Sequence, residues 1–257
     1  MKKAIIGGTG VYDASTESRT ESISTKYGEA LVDIVKIDGE EIVFLARHGK
    51  EHGTPPHKIN YKANMAALKE LGVEIVLATC AVGSCNSNYQ VGDLVLIEDF
   101  LDFTKGRAFT FFDGDDGQVV HTDMSDPYCK FLRKEMKAQA QKLSINLKEG
   151  ATYVCAEGPR FETPAEIKFY HKIGGDIVGM TNVPEVVLAK EMEMHYAAIG
   201  LISNWCTGFN CEGAIFHDIN KALKTAKEEG MNIMLKTLKN IKIEEADCGC
   251  KNAKMIL

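Results

Sequence analysis

The chain has 257 residues, 45% of them hydrophobic and 26% charged, with a formal net charge of −6. That size and balance suit one substantial globular core. The lack of a basic stripe argues against a nucleic-acid partner, which needs clustered Lys and Arg, and the apolar runs are too short to span a bilayer. The opening MKKAIIGG has neither an apolar leader core nor a cleavage pattern, so the expected location is the cytoplasm.

The first expected strand, 3–6, runs into Gly7-Gly8-Thr9-Gly10, a beginning shared by dinucleotide folds and phosphate pockets. A dinucleotide loop opens an amphipathic helix, with an acidic residue about 20 positions on. Here VYDASTESRTESISTKYG follows, polar and without an apolar stripe. The loop therefore reads as a phosphate loop whose Thr9 side chain meets the anion.

Strands follow at 31–36 and 41–46, and NYKANMAALKELG (60–72) is a helix closed by Gly72. After strands at 73–79 and 93–100 comes a helix at 126–144, then a strand at 150–156. Thr163-Pro164-Ala165-Glu166 opens the third helix with a capping box and a proline at its first position. A strand at 176–179, a helix at 183–193, a strand at 196–203 and a long helix at 217–241 complete the series. This alternation predicts a single α/β domain with a central mixed, largely parallel twisted sheet flanked by helices. There is no internal repeat, low-complexity segment or linker; one domain over 1–245 is followed by a Cys-containing tail over 246–257.

Eight cysteines occur, none in C-x-x-C pairs of a zinc site. Cys80, Cys85, Cys129, Cys155, Cys206 and Cys211 read as reduced thiols acting as small apolar residues. Cys248-Gly-Cys250 lies in a polar tail, where a redox-labile pair is a further reading.

Parallel sheets place their ligand sites beyond the carboxyl ends of the strands. That rule selects GGTG (7–10), ARHG (46–49), TCAVGS (79–84), AEGPRFET (156–163), GMTNVPE (179–185) and SNWCTG (203–208) as loops of one pocket. Thr9, Arg47, His48 and Thr181 offer it two hydroxyls, a guanidinium and an imidazole, a set suited to an oxyanion. No G-x-S-x-G elbow is present. His48, His52 and His57 cluster in HGKEHGTPPH, but glycines and prolines break the helix a metal pair would need, so no metal is expected.

Together GGTG, ARHG followed by His52, NYKAN, EGPRF and MTNVPEVVLAKE resemble the trimeric purine nucleoside phosphorylases, and in particular their methylthioadenosine phosphorylase branch, from Ile5 to about Lys239. The resemblance implies a phosphorylase/hydrolase-like fold over 1–245 and phosphorolysis: phosphate attacks C1′ of a purine nucleoside, releasing base and ribose 1-phosphate. Inorganic phosphate is then a co-substrate, with no cofactor. It also implies that Thr9, Arg47, His48, Cys80, Ala81 and Thr181 bind phosphate, with Cys80 where the branch carries threonine. Met180 falls under the ribose, and Phe161 against the purine. His121, in VVHTDMSDP, reaches a neighbouring subunit's site in a homotrimer or a dimer of trimers.

The departures from that branch concern the base. Its T-D-x-D sequence is replaced by Asn204 and Cys206, and the serine after the EGPRF phenylalanine by Glu162; both changes resemble the inosine- and guanosine-specific phosphorylases. An ionised Glu162 only accepts hydrogen bonds, which suits N1–H of a 6-oxopurine and repels N1 of adenine. Asn204 both donates and accepts, so it serves O6 and N7 and stabilises charge gathering on the leaving base. Glu162 also precedes the third helix, where a carboxylate would complement the dipole without touching substrate. His217, at the start of the last helix, matches a histidine facing the ribose 5′-hydroxyl in inosine phosphorylases, or is a solvated cap. The expectation is a 6-oxopurine nucleoside phosphorylase; the alternatives are a methylthioadenosine or methylthioinosine phosphorylase and a non-catalytic nucleotide sensor, which would need no phosphate site. A dinucleotide-dependent oxidoreductase ranks last.

Overall fold

The computed structural model describes residues 2–7, 18–51, 53–115, 117–209 and 219–257, with 219–223 as helix backbone. In chain order the strands are β1 (Lys2–Gly7), β2 (Ser18–Thr25), β3 (Gly28–Ile37), β4 (Glu40–Ala46), β5 (Val73–Ser84) and β6 (Leu94–Phe103). They continue with β7 (Val120–Thr122), β8 (Leu147–Ala156), β9 (Ile177–Gly179), β10 (His195–Trp205) and β11 (Lys254–Ile256). The helices are α1 (Tyr61–Glu70), α2 (Lys130–Lys142), α3 (Pro164–Lys172), α4 (Asn182–Glu191) and α5 (Ile219–Asn240).

Nine strands form one sheet in the order β10-β6-β8-β9-β5-β1-β4-β3-β2, and β10 also pairs with β5. The strands β5, β10, β6, β8 and β9 therefore close into a ring, from which β1, β4, β3 and β2 extend. The pairs β1–β4, β1–β5, β5–β10, β6–β8 and β8–β9 are parallel. The pairs β6–β10, β2–β3, β3–β4 and β5–β9 are antiparallel, so the sheet is mixed, as expected.

Successive residues of a strand point to opposite faces, and both faces of this sheet are covered. Ala4 and Ile6 join a core cluster shared with Met65 and Leu68 of α1 and Val186 and Leu188 of α4. Ile5 joins the opposite cluster with Leu132 and Met136 of α2 and Ile233 and Leu238 of α5. Double coverage explains why these strands read as apolar runs.

Each expected strand and helix is present in the described residues, with shifted ends. β5 extends to Ser84, carrying TCAVGS into the sheet rather than a loop. β2 was not anticipated. It is an exposed edge strand, SRTESIST, paired with β3 alone, so little apolar sequence marks it. The capping box of α3 forms: Glu166 N donates to Thr163 Oγ1 (3.2 Å) and Thr163 N to the Glu166 carboxylate (2.7 Å). α1 is capped by Asn60, whose Oδ1 accepts from Ala63 N (3.0 Å), and Gly72 follows it at φ +76°.

The last residues return to the body. β11 pairs antiparallel with β7, Asp123 N donates to the Ala253 carbonyl (2.8 Å), and Cys250 is buried in the α2–α5 cluster. Cys248 and Cys250 are free thiols. No helix among the described residues is long and apolar enough to cross a membrane.

Candidate active site

The carboxyl ends of β4, β5, β9 and β10 and the loop after β8 enclose a cavity of about 430 Å³. Arg47, His48, Cys80, Ala81, Met180 and Thr181 line one part of it; Phe161, Glu162, Asn204 and Cys206 also line it. Ten of the sequence-predicted site residues thus meet in one place. Thr9 and His217 lie outside the described residues, as does His52. His121 is exposed on β7, paired with Met255, and does not line this chain's cavity.

Glycines set the close approaches at the cavity. A Cβ on Gly158, which has φ +68°, would meet Met180 Sδ at 2.5 Å. One on Gly83 would meet Cys206 Sγ at 2.8 Å and Asn204 Nδ2 at 3.2 Å. Only a bare backbone lets Met180 and the end of β10 take these positions.

At the Arg47 end every large polar group has partners. Arg47 Nε and Nη2 donate to Glu185 (2.9 and 2.7 Å), and Nη1 donates to the Thr79 carbonyl (2.6 Å). Tyr196 Oη donates to the same Glu185 carboxylate (2.7 Å). Burial disfavours the guanidinium charge, but the Glu185 charge and hydrogen bonds more than offset this and hold Arg47 above its ordinary pKa. The expectation of an anion clamp is thereby refined: Arg47 is a charge-neutralised, rigidly held fork with two N–H groups left to offer a ligand. Glu185, within the MTNVPEVVLAKE stretch, escaped the sequence reading because its partner lies 138 residues away.

His48 Nδ1 lies 2.9 Å from the Thr54 carbonyl, which places the ring proton on Nδ1 and orients the imidazole. Thr181 is the N-cap of α4, yet its hydroxyl makes no capping bond, and its backbone N donates to Tyr153 Oη (3.1 Å). Val183, with φ −111° and ψ 129°, interrupts the start of α4, so no continuous helix dipole runs from Thr181 into α4. Cys80 departs most from the expected role. Its thiol, pushed up to about 12 by burial, is neutral and packs against the Asn182 amide (3.8 Å) and the Ile199 carbonyl (3.9 Å).

The other end differs. Glu162 is 8% exposed, and its buried Oε1 has no hydrogen-bond partner among the described residues. Burial pushes its carboxyl above the usual range. The helix-dipole reading of Glu162 loses its support, since Thr163 and Glu166 already cap α3. Asn204 Nδ2 donates to the Trp205 carbonyl (2.8 Å), and Oδ1 accepts from Ser203 Oγ (2.7 Å), fixing the amide plane. One N–H and one lone pair of that amide remain. Cys206 is buried, and its thiol, hydrogen-bonded to Cys85, is held neutral well above its ordinary pKa. Phe161 stands 60% exposed at the cavity wall. Lys227 of α5 adds an ammonium group to the lining that the sequence reading missed, since a lysine on an exposed helix face carries no local signal.

A family profile described as the phosphorylase superfamily matches residues 2–239. The chain belongs to this superfamily. Its similarity to a probable 6-oxopurine nucleoside phosphorylase of Dictyoglomus turgidum is 48% identity over 98% of this chain and 96% of the relative. To a 6-oxopurine nucleoside phosphorylase of Pyrococcus furiosus it is 43% identity over 97% and 96%. Among solved structures, a methylthioadenosine phosphorylase from an antarctic soil metagenomic library superposes with a TM-score of 0.91. That pair is 33% identical over 98% of this chain and 90% of the other. Superfamily membership places the cavity at the strand ends in an enzyme, and both substrate branches expected from the sequence appear among its relatives.

Proposed function

We propose that this chain is a nucleoside phosphorylase that cleaves 6-oxopurine nucleosides, inosine and guanosine, with phosphate. The observation that carries the reading is the buried Glu162 Oε1, without a hydrogen-bond partner among the described residues, in a wall shared with Asn204. An acceptor without a donor in a desolvated site costs about 1–3 kcal/mol. The N1–H of a 6-oxopurine removes that cost; adenine, whose N1 is itself an acceptor, does not.

In this reading phosphate sits among Arg47, His48, Ala81 and Thr181, with Thr9 contributing its hydroxyl and the thiol of Cys80 no hydrogen bond of comparable strength. A phosphate oxygen bonds to C1′ as the C1′–N9 bond breaks, and the bonding pair leaves with the purine. The phosphate charge stabilises the oxocarbenium-like ribose above it. The remaining Asn204 N–H stabilises the charge reaching N7, and the departing base takes its proton from solvent. Met180 packs under the ribose and Phe161 against the base. Arg47, already neutralised by Glu185, contributes direction more than net charge, so His48 and the Thr181 hydroxyl share the work of holding the anion.

The same reading makes the protein a cytoplasmic homotrimer, or a dimer of trimers, in which His121 enters a neighbour's cavity, and it uses no cofactor in the reaction. A 5′-methylthio nucleoside, methylthioadenosine or methylthioinosine, is the second reading, its 5′ group supported by the solved methylthioadenosine phosphorylase that superposes on the chain. The 5′ and base ends of the ligand are recognised independently. The experiment is base release from inosine, guanosine, adenosine, methylthioadenosine and methylthioinosine, each with and without phosphate. Phosphate-dependent release of hypoxanthine and guanine supports the proposal. Preference for the adenine nucleosides overturns it, and preference for methylthioinosine retains the base assignment alone.

A further inference from the structure

On the side of the sheet covered by α2 and α5, Cys129 Sγ, His195 Nδ1, Cys248 Sγ and Cys250 Sγ all lie within 4.8 Å of one another. Cys129 is the N-cap of α2 and His195 opens β10; the Cys129 N–H donates to the Tyr196 carbonyl (2.8 Å), fixing the two donors together. Cys248 and Cys250 come from the segment after α5, and Cys250 begins a short 3-10 turn. Cys129, His195 and Cys250 are buried and Cys248 is partly so. We propose that these four residues form a structural zinc site of the Cys₃His type.

The geometry fits the ion. With Zn–S about 2.3 Å and Zn–N about 2.0–2.1 Å, the S···N edges of a tetrahedral site are about 3.6 Å. His195 Nδ1 lies 3.6 Å from Cys129 Sγ and 3.3 Å from Cys248 Sγ. The donors are three thiols and one imidazole with no carboxylate among them, a soft set that selects zinc over magnesium, calcium or manganese. Four protein ligands leave no open position, which makes the role structural. The ion displaces up to three thiol protons, leaving three thiolates and a neutral imidazole around Zn²⁺.

Sequence spacing hides the site. His195 stands 66 residues from Cys129 and 53 from Cys248, and C-x-C replaces the usual C-x-x-C. The expectation of no metal rested on the absence of C-x-x-C pairs and on the broken His48–His57 stretch, and the fold brings together donors that neither pattern includes. The consequence reaches β7: the clamped segment continues into β11, whose Met255 pairs with His121. The zinc would anchor the strand that presents His121.

The test is metal content of the full-length chain, produced with zinc and purified under reductant without chelator. About one zinc per chain, bound through sulfur and one imidazole in its X-ray absorption fine structure, is expected. Cobalt(II) added to chelator-stripped protein should give the thiolate charge-transfer and tetrahedral ligand-field bands of a sulfur-rich site. C250S and C248S should lose those bands and the zinc, and C85S, outside the cluster, should keep both. Should C250S fail to fold, the wild-type absorption spectrum still decides. Wild-type protein that holds no zinc and gives no cobalt band, or that keeps its zinc in both C248S and C250S, overturns the assignment. So does a Cys248–Cys250 disulfide that persists under reductant.

Discussion

The two ends of the cavity are built on opposite principles. Around Arg47 the polar groups are mutually satisfied: Glu185 accepts two hydrogen bonds from Arg47 and one from Tyr196, all buried. Around Glu162 an acceptor is buried and left unmatched by the described residues. A satisfied cluster is rigid and accepts a ligand into preset directions, as suits a symmetrical oxyanion. An unsatisfied acceptor discriminates, because only a ligand that supplies the missing donor relieves its cost.

Breaking the satisfied end is expected to have the largest effect, and on folding. Glu185→Gln leaves the buried guanidinium uncompensated and should cost about 3–5 kcal/mol, read as a fall in the denaturation midpoint. An unchanged midpoint would show that Arg47 finds another partner or water. Asn204→Asp acts at the other end and, by setting a carboxylate oxygen against the Trp205 carbonyl, should cost about 1–3 kcal/mol of stability, less than Glu185→Gln. Exchanging the remaining donor for a negative charge should lower inosine kcat by about 10²–10³-fold and raise the adenosine share. Retained inosine turnover would remove Asn204 from its catalytic role.

Glu162→Gln should reduce inosine kcat/KM by about 10–100-fold while leaving phosphate affinity intact, since only the base end loses a charged acceptor and gains a competing donor. The pH dependence follows from the same residue. Burial raises the folded-state pKa of Glu162, so the carboxyl gains its proton on acidification before an ordinary carboxylate would. Inosine KM should therefore rise as pH falls through that raised value, where the neutral acid accepts from N1–H more weakly and presents an O–H that suits adenine N1, and adenosine should gain relative to inosine. The linkage to stability has the opposite sense. With the folded pKa above the unfolded one, the contribution of Glu162 to stability is fully present below the unfolded pKa and is lost as pH rises through the folded value. Glu162→Gln should thus stabilise the free protein at neutral pH while weakening inosine turnover, a combination a surface carboxylate would not give. The smallest effect is expected at Thr163→Ala, which removes the α3 cap beside Glu162 and costs about 1 kcal/mol. An effect confined to stability would separate the cap from the base-reading residue next to it.

Much of the fold could be read from the chain because its information is local. Strands buried on both faces appear as Val- and Ile-rich runs, and the α3 capping box is spelled out within four residues. The polar β2 was missed because an edge strand needs no apolar face. In the site, Arg47, His48 and Thr181 were legible by their position at strand ends, and Ala81 and Asn204 through the resemblance to the phosphorylases. Relations between distant segments were not. The pairing of Arg47 with Glu185, the packing of Cys80 against Asn182, and the convergence of Cys129, His195, Cys248 and Cys250 are products of the folded chain.

The central claim is that Glu162 and Asn204 choose the base. Its most direct test is the ratio of kcat/KM for inosine over adenosine at saturating phosphate, in the wild type and in Glu162→Gln. The account predicts a strong inosine preference that collapses in the variant. An inosine preference of equal size in both proteins, or a wild type that prefers adenosine, would contradict it.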